Sequence, residues 1–550
     1  MTSRKTDCPD AWPADLSTLV PHLPDPSRRR MLKLLGATGA AGAASAWLTP
    51  LTAMAQTVNA TPAVVDYKAL VCLFMFGGND GNNTLLPYET ADYALYRQAR
   101  GRLALNRDQV LPIKPTNTSG LQYALHPAMT GLHALFNAGQ AAAIANVGPL
   151  VVPTTKAQWV ARSVPLPAAL FSHSDQQAQW QSAIYDGTGR SGWGGRLMER
   201  LVPTGSANRG YACLSVAGGN LWENGDQSLV AYKVSASGKL GFDFYNAGGT
   251  DPLSAAIAQT LAEARPHLME QAWLQLMARS IEVQQVLSSA LEGTDLATPF
   301  PNTGLGRQLK TIARLIRARG SLGLSRQVFF CSLGGFDTHG EDQLQRQQEL
   351  LGEVSAAVSA FHAATVEIGA APQVTLFTAS DFSRTLQTNG QGSDHAWGNH
   401  HFVVGGAVKG NAVYGRYPDL TIGGPDDTDS GRWIPSTSTD QLGATLATWF
   451  SADAAMMPAL FPNLGNFTAD LGFMAGTPAA VPAPVPAPAP AASTPAPAPA
   501  ASAPATPAPA PAASAPEVSP AASAPEPAPA VTPAVIPTVA PEVSPAVTPV

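Results

Sequence analysis

Cysteine is scarce in this 550-residue chain: Cys8, Cys72, Cys213 and Cys331 are all it has. With Cys8 near the N-terminus, three remain for the body of the chain, and three cannot build a disulfide framework. Cys72 and Cys331 sit inside the apolar runs VCLFMF and VFFCSL and read as small core residues. Charge is scarce as well. Charged residues make up 13% of the chain and the net charge is −6, with no basic stripe, which excludes the electrostatic footprint of a nucleic-acid binder. The acidic balance also runs against binding an anionic membrane surface. A long apolar run is missing too. The stretch Leu34 to Leu48 is short and diluted with glycine and alanine, so no stable membrane insertion is expected.

What is present at the two ends is not fold. Ser27-Arg28-Arg29-Arg30-Met31-Leu32-Lys33 has the form of a twin-arginine signal, with Met31 where a phenylalanine is usual. The weakly apolar stretch follows, and Ala53-Met54-Ala55 supplies small residues around a cleavage site before Gln56. Residues 1–55 therefore read as a signal peptide engaging the twin-arginine translocation machinery. That route carries folded proteins, often already loaded with metal, and implies a periplasmic or cell-surface location. Six cations face four aspartates in that segment, so its removal takes the net charge from −6 to −8. From 476 to 550 the chain is mostly Pro and Ala with Val, Ser and Thr, and its only charges are Glu517, Glu526 and Glu542. Such a segment lacks backbone donors and large side chains, so it reads as a disordered tail. Extended at ~3.1 Å per residue it reaches on the order of 200 Å, enough to contact the cell envelope.

The middle, residues 56–475, alternates apolar runs with helical periodicity. Lys68–Phe76, Ala141–Val147, Gln327–Leu333, Gln373–Ala379 and Phe402–Val408 read as buried strands. Pro127–Ala138, Pro252–Glu292, Gly306–Arg319, Glu341–Ile368 and Asp440–Phe450 read as helices. This order predicts an α/β domain with a doubly wound, mostly parallel sheet covered by helices on both faces. Ligands in such sheets bind beyond the carboxyl ends of the strands.

Three of those ends carry chemistry. The first strand runs into Gly77-Gly78-Asn79-Asp80, with Thr84 close behind; the Gln327 strand runs into Gly334-Gly335-Phe336-Asp337-Thr338-His339. The Gln373 strand runs into Ser380-Asp381-Phe382-Ser383-Arg384, followed by Asp394-His395 and His400-His401. Phe171-Ser172-His173-Ser174 adds a fifth candidate histidine. Carboxylates and imidazoles converging from several strand ends form a ligand set for zinc, manganese or magnesium, and two such ions can flank an in-line displacement. An aspartate after a strand also serves as a helix N-cap, and Asp80, Asp337 and Asp381 are all placed to cap. Substrate selection is expected between about Asn146 and Ala297, where the Gly192-Trp193-Gly194-Gly195 turn reads as structural.

The strings LFMFGGNDGNNTLLPY, SLGGFDTHG, TASDFSRT, GSDHAWGNHHFVVGGAVKGNAVYG and RWIPSTSTDQLGATLATWF, in that order, resemble the exported bacterial family called domain of unknown function 1501. That family in turn resembles a divergent branch of the alkaline phosphatase and sulfatase superfamily. The resemblance implies an alkaline phosphatase-like fold and a two-metal hydrolase of phosphate or sulfate esters, on small-molecule or polymer substrates. Carried over, Asp80, Asp337, His339 and Asp381 would supply metal ligands, together with a late histidine, His395 or else His400 or His401; Asp394 beside it is a further candidate. Thr84, Ser172 and His173, with Ser174, are the candidates for the catalytic hydroxyl and its base, and Arg384 and Asn79 would hold ester oxygens. The chain departs from the superfamily at Phe382, where a histidine belongs, and in the shortened Asp337-x-His339 spacing. Those departures leave a second reading open: an exported binding or assembly protein on a degenerate hydrolase fold.

Overall fold

The run KALVCLFM, apolar on both of its faces, forms β1 (Lys68–Met75), and every residue in it is buried. Alternation along the strand divides its side chains: Ala69, Val71, Leu73 and Met75 enter one core, Leu70, Cys72 and Phe74 the other. A strand that is buried on both sides belongs in the middle of a covered sheet.

The computed structural model describes residues 66–202, 210–227, 229–236, 245, 249–263 and 265–476. All of them lie in one unit, Met1–Pro482; the other, Ala483–Val550, lies outside the described residues, as does the twin-arginine segment. Beyond β1 the strands are β2 (Leu85–Pro87), β3 (Leu111–Ile113), β4 (Tyr123–Leu125), β5 (Ala141–Gly148), β6 (Cys213–Ser215), β7 (Tyr232–Lys233), β8 (Arg326–Leu333), β9 (Val374–Ser380), β10 (Asn399–Gly405), β11 (Val413–Tyr414) and β12 (Thr437–Ser438). The main sheet runs β11-β5-β10-β9-β1-β8-β6-β7, with β12 beside β5. Every pairing in it is parallel except those of β10, which runs antiparallel to β9 and β5. β2, β4 and β3 form a small separate sheet.

Helices cover both faces. The helices used below are α1 (Thr90–Arg100), α2 (Thr130–Asn137), α3 (His173–Ser182), α4 (Trp193–Leu201), α5 (Leu268–Leu291), α6 (Gly304–Arg317), α7 (Gln343–Glu367) and α8 (Thr439–Phe450). α2, α5, α6 and α7 pack on the face that takes Val71 and Leu73; α3, α4 and α8 pack on the face that takes Leu70 and Phe74. In α6, Leu305, Leu309, Ile312, Ala313 and Ile316 recur at helical spacing and are all buried, and the Thr303 side chain accepts the Gly306 N–H at 3.1 Å to start the helix. The doubly wound α/β architecture expected from the sequence is present. The helical stretch over 252–292 is two helices, Pro252–Ala262 and α5. The Gly192 turn is the start of α4, and β10 lies three residues earlier than the glycine boundaries suggested.

Register aligns the strand ends. Met75 pairs with Leu333 on one side and with Ser380 on the other, so the turns leaving β1, β8 and β9 emerge level with one another. Cys72, Cys213 and Cys331 are buried thiols outside any disulfide, as core residues.

Candidate metal centre

Four side chains from three segments meet at this edge. Asp337 and His339 follow β8, His395 precedes β10, and His173 opens α3. Asp337 is the hub: its carboxylate lies 3.0 Å from His339 Nε2, 3.5 Å from His395 Nε2 and 3.5 Å from His173 Nε2. Ligand atoms of His173, Asp337 and His395 all fall within 4.8 Å of one another. His339 Nε2 approaches His395 Nε2 at 2.9 Å.

The outward nitrogen of each ring fixes its tautomer. His173 Nδ1 faces the Asp381 carboxylate at 2.7 Å, His395 Nδ1 faces the Phe171 carbonyl at 2.8 Å, and His339 Nδ1 faces Asp394 at 3.4 Å. A carbonyl and an ionised carboxylate only accept, so the Nδ1 atoms of His173 and His395 carry protons and their Nε2 lone pairs turn inward. His173 Nε2 is buried with no hydrogen-bond partner. The Nε2 atoms of His339 and His395, 2.9 Å apart, need a proton or a cation between them. Zinc–nitrogen bonds of ~2.0–2.1 Å put tetrahedral ligand atoms ~3.3 Å apart, and each Nε2 lies 3.0–3.5 Å from one or the other Asp337 oxygen. The donor set therefore fits a cation, and three imidazoles with one carboxylate favour a transition metal over magnesium.

Electrostatics agree. Burial alone would raise the Asp337 carboxyl, but the hydrogen bond and charge of Arg384, with His173 and His339 nearby, hold it below the usual carboxylate range. Burial pushes the His395 imidazole below its ordinary value. Phe382 supplies the shelf on which two of the rings rest, its centroid 4.7 Å from His173 and 4.4 Å from His395. Gly77, at φ +112°, lets the β1 turn close on this site: a Cβ there would lie 2.4 Å from the Asp337 nitrogen.

Several expected roles are corrected. Asp80 is buried in an ion pair with Arg100 from α1 and accepts from Gln343 at 2.8 Å, so its carboxylate is not among the converging ligands. Asp381 is wholly buried, and its oxygens take the Gly77 N–H, Gln177 and His173 Nδ1. It positions a ligand instead of being one. Asp394 likewise faces His339 and is held by Asn389 at 2.8 Å. His400 and His401 are buried in β10, His400 Nδ1 accepting the Asn146 N–H and His401 packing on Trp180. The Thr84 hydroxyl donates to the Asp80 carbonyl at 2.7 Å and accepts from Asn79 at 3.0 Å, which engages both candidate groups. Ser172 donates to Asp175, and Ser174 reaches the same carboxylate at 3.3 Å. Arg384 is fully buried and spends four of its five N–H donors on the Gly77, Gly78 and Ser393 carbonyls and on Asp337, so it is not presented to an ester. Among the described residues one cluster forms where two metal positions were expected. The Phe171 carbonyl and Gln177 went unnoticed in the sequence, which carries no signal for a backbone acceptor.

Asp381→Asn is expected to lower metal affinity 10–100-fold without unfolding the chain, because outer-layer acceptors set ligand orientation. Metal titration beside far-UV circular dichroism checks it, and unchanged affinity would remove Asp381 from this role.

A structure of the PsFucS1 sulfatase from Pseudoalteromonas sp. is similar over 72% of this chain and 70% of that chain, at 9% identity and a TM-score of 0.27. That likeness is too remote to transfer any residue role. No curated protein matches the chain. The model of a protein family of unknown function, DUF1501, matches residues 67–427, more than half of the chain and all of the strands that build the centre; the chain belongs to that family.

Proposed function

We propose that this chain is an exported, metal-dependent hydrolase of phosphate or sulfate esters, working with one divalent transition-metal ion held by His173, Asp337, His339 and His395. The observation that carries the reading is the convergence of three imidazole Nε2 atoms on the Asp337 carboxylate, those of His339 and His395 2.9 Å apart. A bound ion would supply Lewis acidity toward the ester. The protein's part is to hold the set still: Asp381, the Phe171 carbonyl and Asp394 orient the three rings, and Arg384 braces Asp337. With Thr84 and Ser172 engaged elsewhere, water is the nucleophile, and no covalent enzyme intermediate forms. His339 is the most exposed of the three imidazoles, so the open side of the set lies toward it.

Residues 1–55 would deliver the folded, metal-loaded protein to the periplasm or cell surface, and 476–550 would space it from the envelope. Among the described residues no helix is long and apolar enough to cross a membrane.

The test is elemental analysis of the full chain exported by its own signal. One equivalent of a zinc- or manganese-like ion and little magnesium is expected, lost in His173→Ala and His395→Ala. Hydrolysis of 4-nitrophenyl phosphate or sulfate should fall to background in chelator and return with the ion. Metal-free protein whose stability ignores chelator would end the reading. Metal without turnover would instead favour the exported binding or assembly protein.

A further inference from the structure

We propose that the cleft beside this centre binds a neutral, hydroxyl-bearing ring of sugar size as the alcohol part of the ester; this rests on the hydrolase reading above. The cleft measures about 420 Å³, toward the lower end of the range of small-molecule sites, and His339 and His395 form part of its lining. Whatever fills it therefore presents one end to the metal ligands.

Its walls combine two chemistries. Trp159 and Phe171 meet edge to face at 6.4 Å and form an aromatic surface. Trp159 is fixed by Trp397 at 5.4 Å and by the Arg162 guanidinium at 4.2 Å. Opposite in character stand Thr428, Asp429 and Arg432. Arg432 is held in place by the His395 carbonyl at 2.8 Å and by Asp429 at 2.9 Å, and its guanidinium lies over Phe171 at 5.6 Å.

Charge narrows the ligand. Asp394 and Asp429 balance the guanidiniums of Arg432 and of Arg162 on Trp159, so the cleft offers a polyanion such as nucleic acid or polyphosphate no excess positive charge. A bare aryl ring would satisfy Trp159 and Phe171 but would cover Thr428, Asp429 and Arg432 with nothing to bond. A saccharide ring offers C–H faces to the aromatic surface and hydroxyls that donate to Asp429 and accept from Arg432. Trp159 and Phe171 come from the segment where substrate selection was expected.

The test separates this from the metal reading by removing the ion. Methyl glycosides of galactose, glucose, mannose and N-acetylglucosamine are titrated into chelator-treated full chain by calorimetry and saturation-transfer NMR. At least one should bind with a millimolar Kd, and Asp429→Asn, at an exposed side chain whose change should spare the fold, should weaken it about tenfold. Trp159→Ala should abolish binding while both variants keep their metal content. If no glycoside binds, or if binding ignores both substitutions, the inference is overturned even where metal and ester turnover persist. If glycosides bind but the chain never holds metal, the hydrolase reading falls and the sugar site stands.

Discussion

Arg100→Ala is expected to destabilise the folded domain by about 3–5 kcal/mol while leaving its metal content unchanged. The guanidinium is fully buried and donates to the Thr385 carbonyl at 2.6 Å, the Leu386 carbonyl at 3.1 Å, Asn83 Oδ1 at 3.3 Å and the Asp80 carboxylate. Burial depresses its pKa to about 9, with Arg384 adding to the effect, so it stays charged at neutral pH. Without it, Asp80 keeps one side-chain donor, Gln343, on Oδ2, while Oδ1 has no partner even in the intact protein. A buried carboxylate left so poorly matched is the costly half of a broken ion pair. Urea unfolding gives the stability change, and elemental analysis of the same sample gives the metal. A variant that lost its ion but not its stability would return Asp80 to the ligand set. The pairing also ties the first turn to the Thr385 segment, so part of the loss should appear as looser packing around the centre.

The contrast between Asp80 and Asp337 shows what a sequence can and cannot convey about such a site. Both follow a buried strand and a Gly-Gly pair, and both read as ligands or caps. Both have a buried guanidinium partner, Arg100 for Asp80 and Arg384 for Asp337; what separates them is the three imidazoles that also meet Asp337. Asp381 was misjudged for the same reason, since its partners Gly77, His173 and Gln177 lie more than 200 residues away in the chain. The strands β1, β8 and β9 were legible because parallel strands buried on both faces are continuous apolar runs. α3 was not, because its buried residues are Gln176, Gln179, Gln181 and Ser182 with Trp180 as the one large apolar side chain, which gives no apolar periodicity. β10 was displaced because Asn399-His400-His401 reads as a polar loop, yet all three residues are buried in the strand. His173, Asp337, His339 and His395 were all named from the sequence, but nothing in it ranked them above the neighbours that turned out to be structural.

Those same buried histidines set an expected response to acid. The stability that three buried histidines contribute should fall as pH drops from about 6.5 toward 3, against an opposite and smaller trend from Glu223 and Asp440, whose carboxyls burial raises to about 8 and about 7. In the folded chain burial pushes the imidazoles of His400 and His401 down to about 3, and that of His126 down to about 4. His400 is kept neutral because its Nδ1 accepts the Asn146 N–H at 3.1 Å and its ring stacks on Tyr417 at 4.8 Å. His401 lies against Trp180 at 4.7 Å, with Thr378 as its hydrogen-bond partner. In the unfolded chain these rings take up protons near their ordinary value, so below about 6.5 the unfolded state binds more protons and gains on the folded one. The contribution is intact above 6.5 and lost on the way down to the folded values, at about 1.4 kcal/mol per pH unit for each proton. Urea midpoints measured across this window, with chelator present so that metal release adds nothing, read the slope. His401→Phe replaces one titrating ring with an apolar one of similar size, and should flatten the slope by about one proton. A slope that the substitution does not change would mean that β10 opens to water more readily than its packing implies.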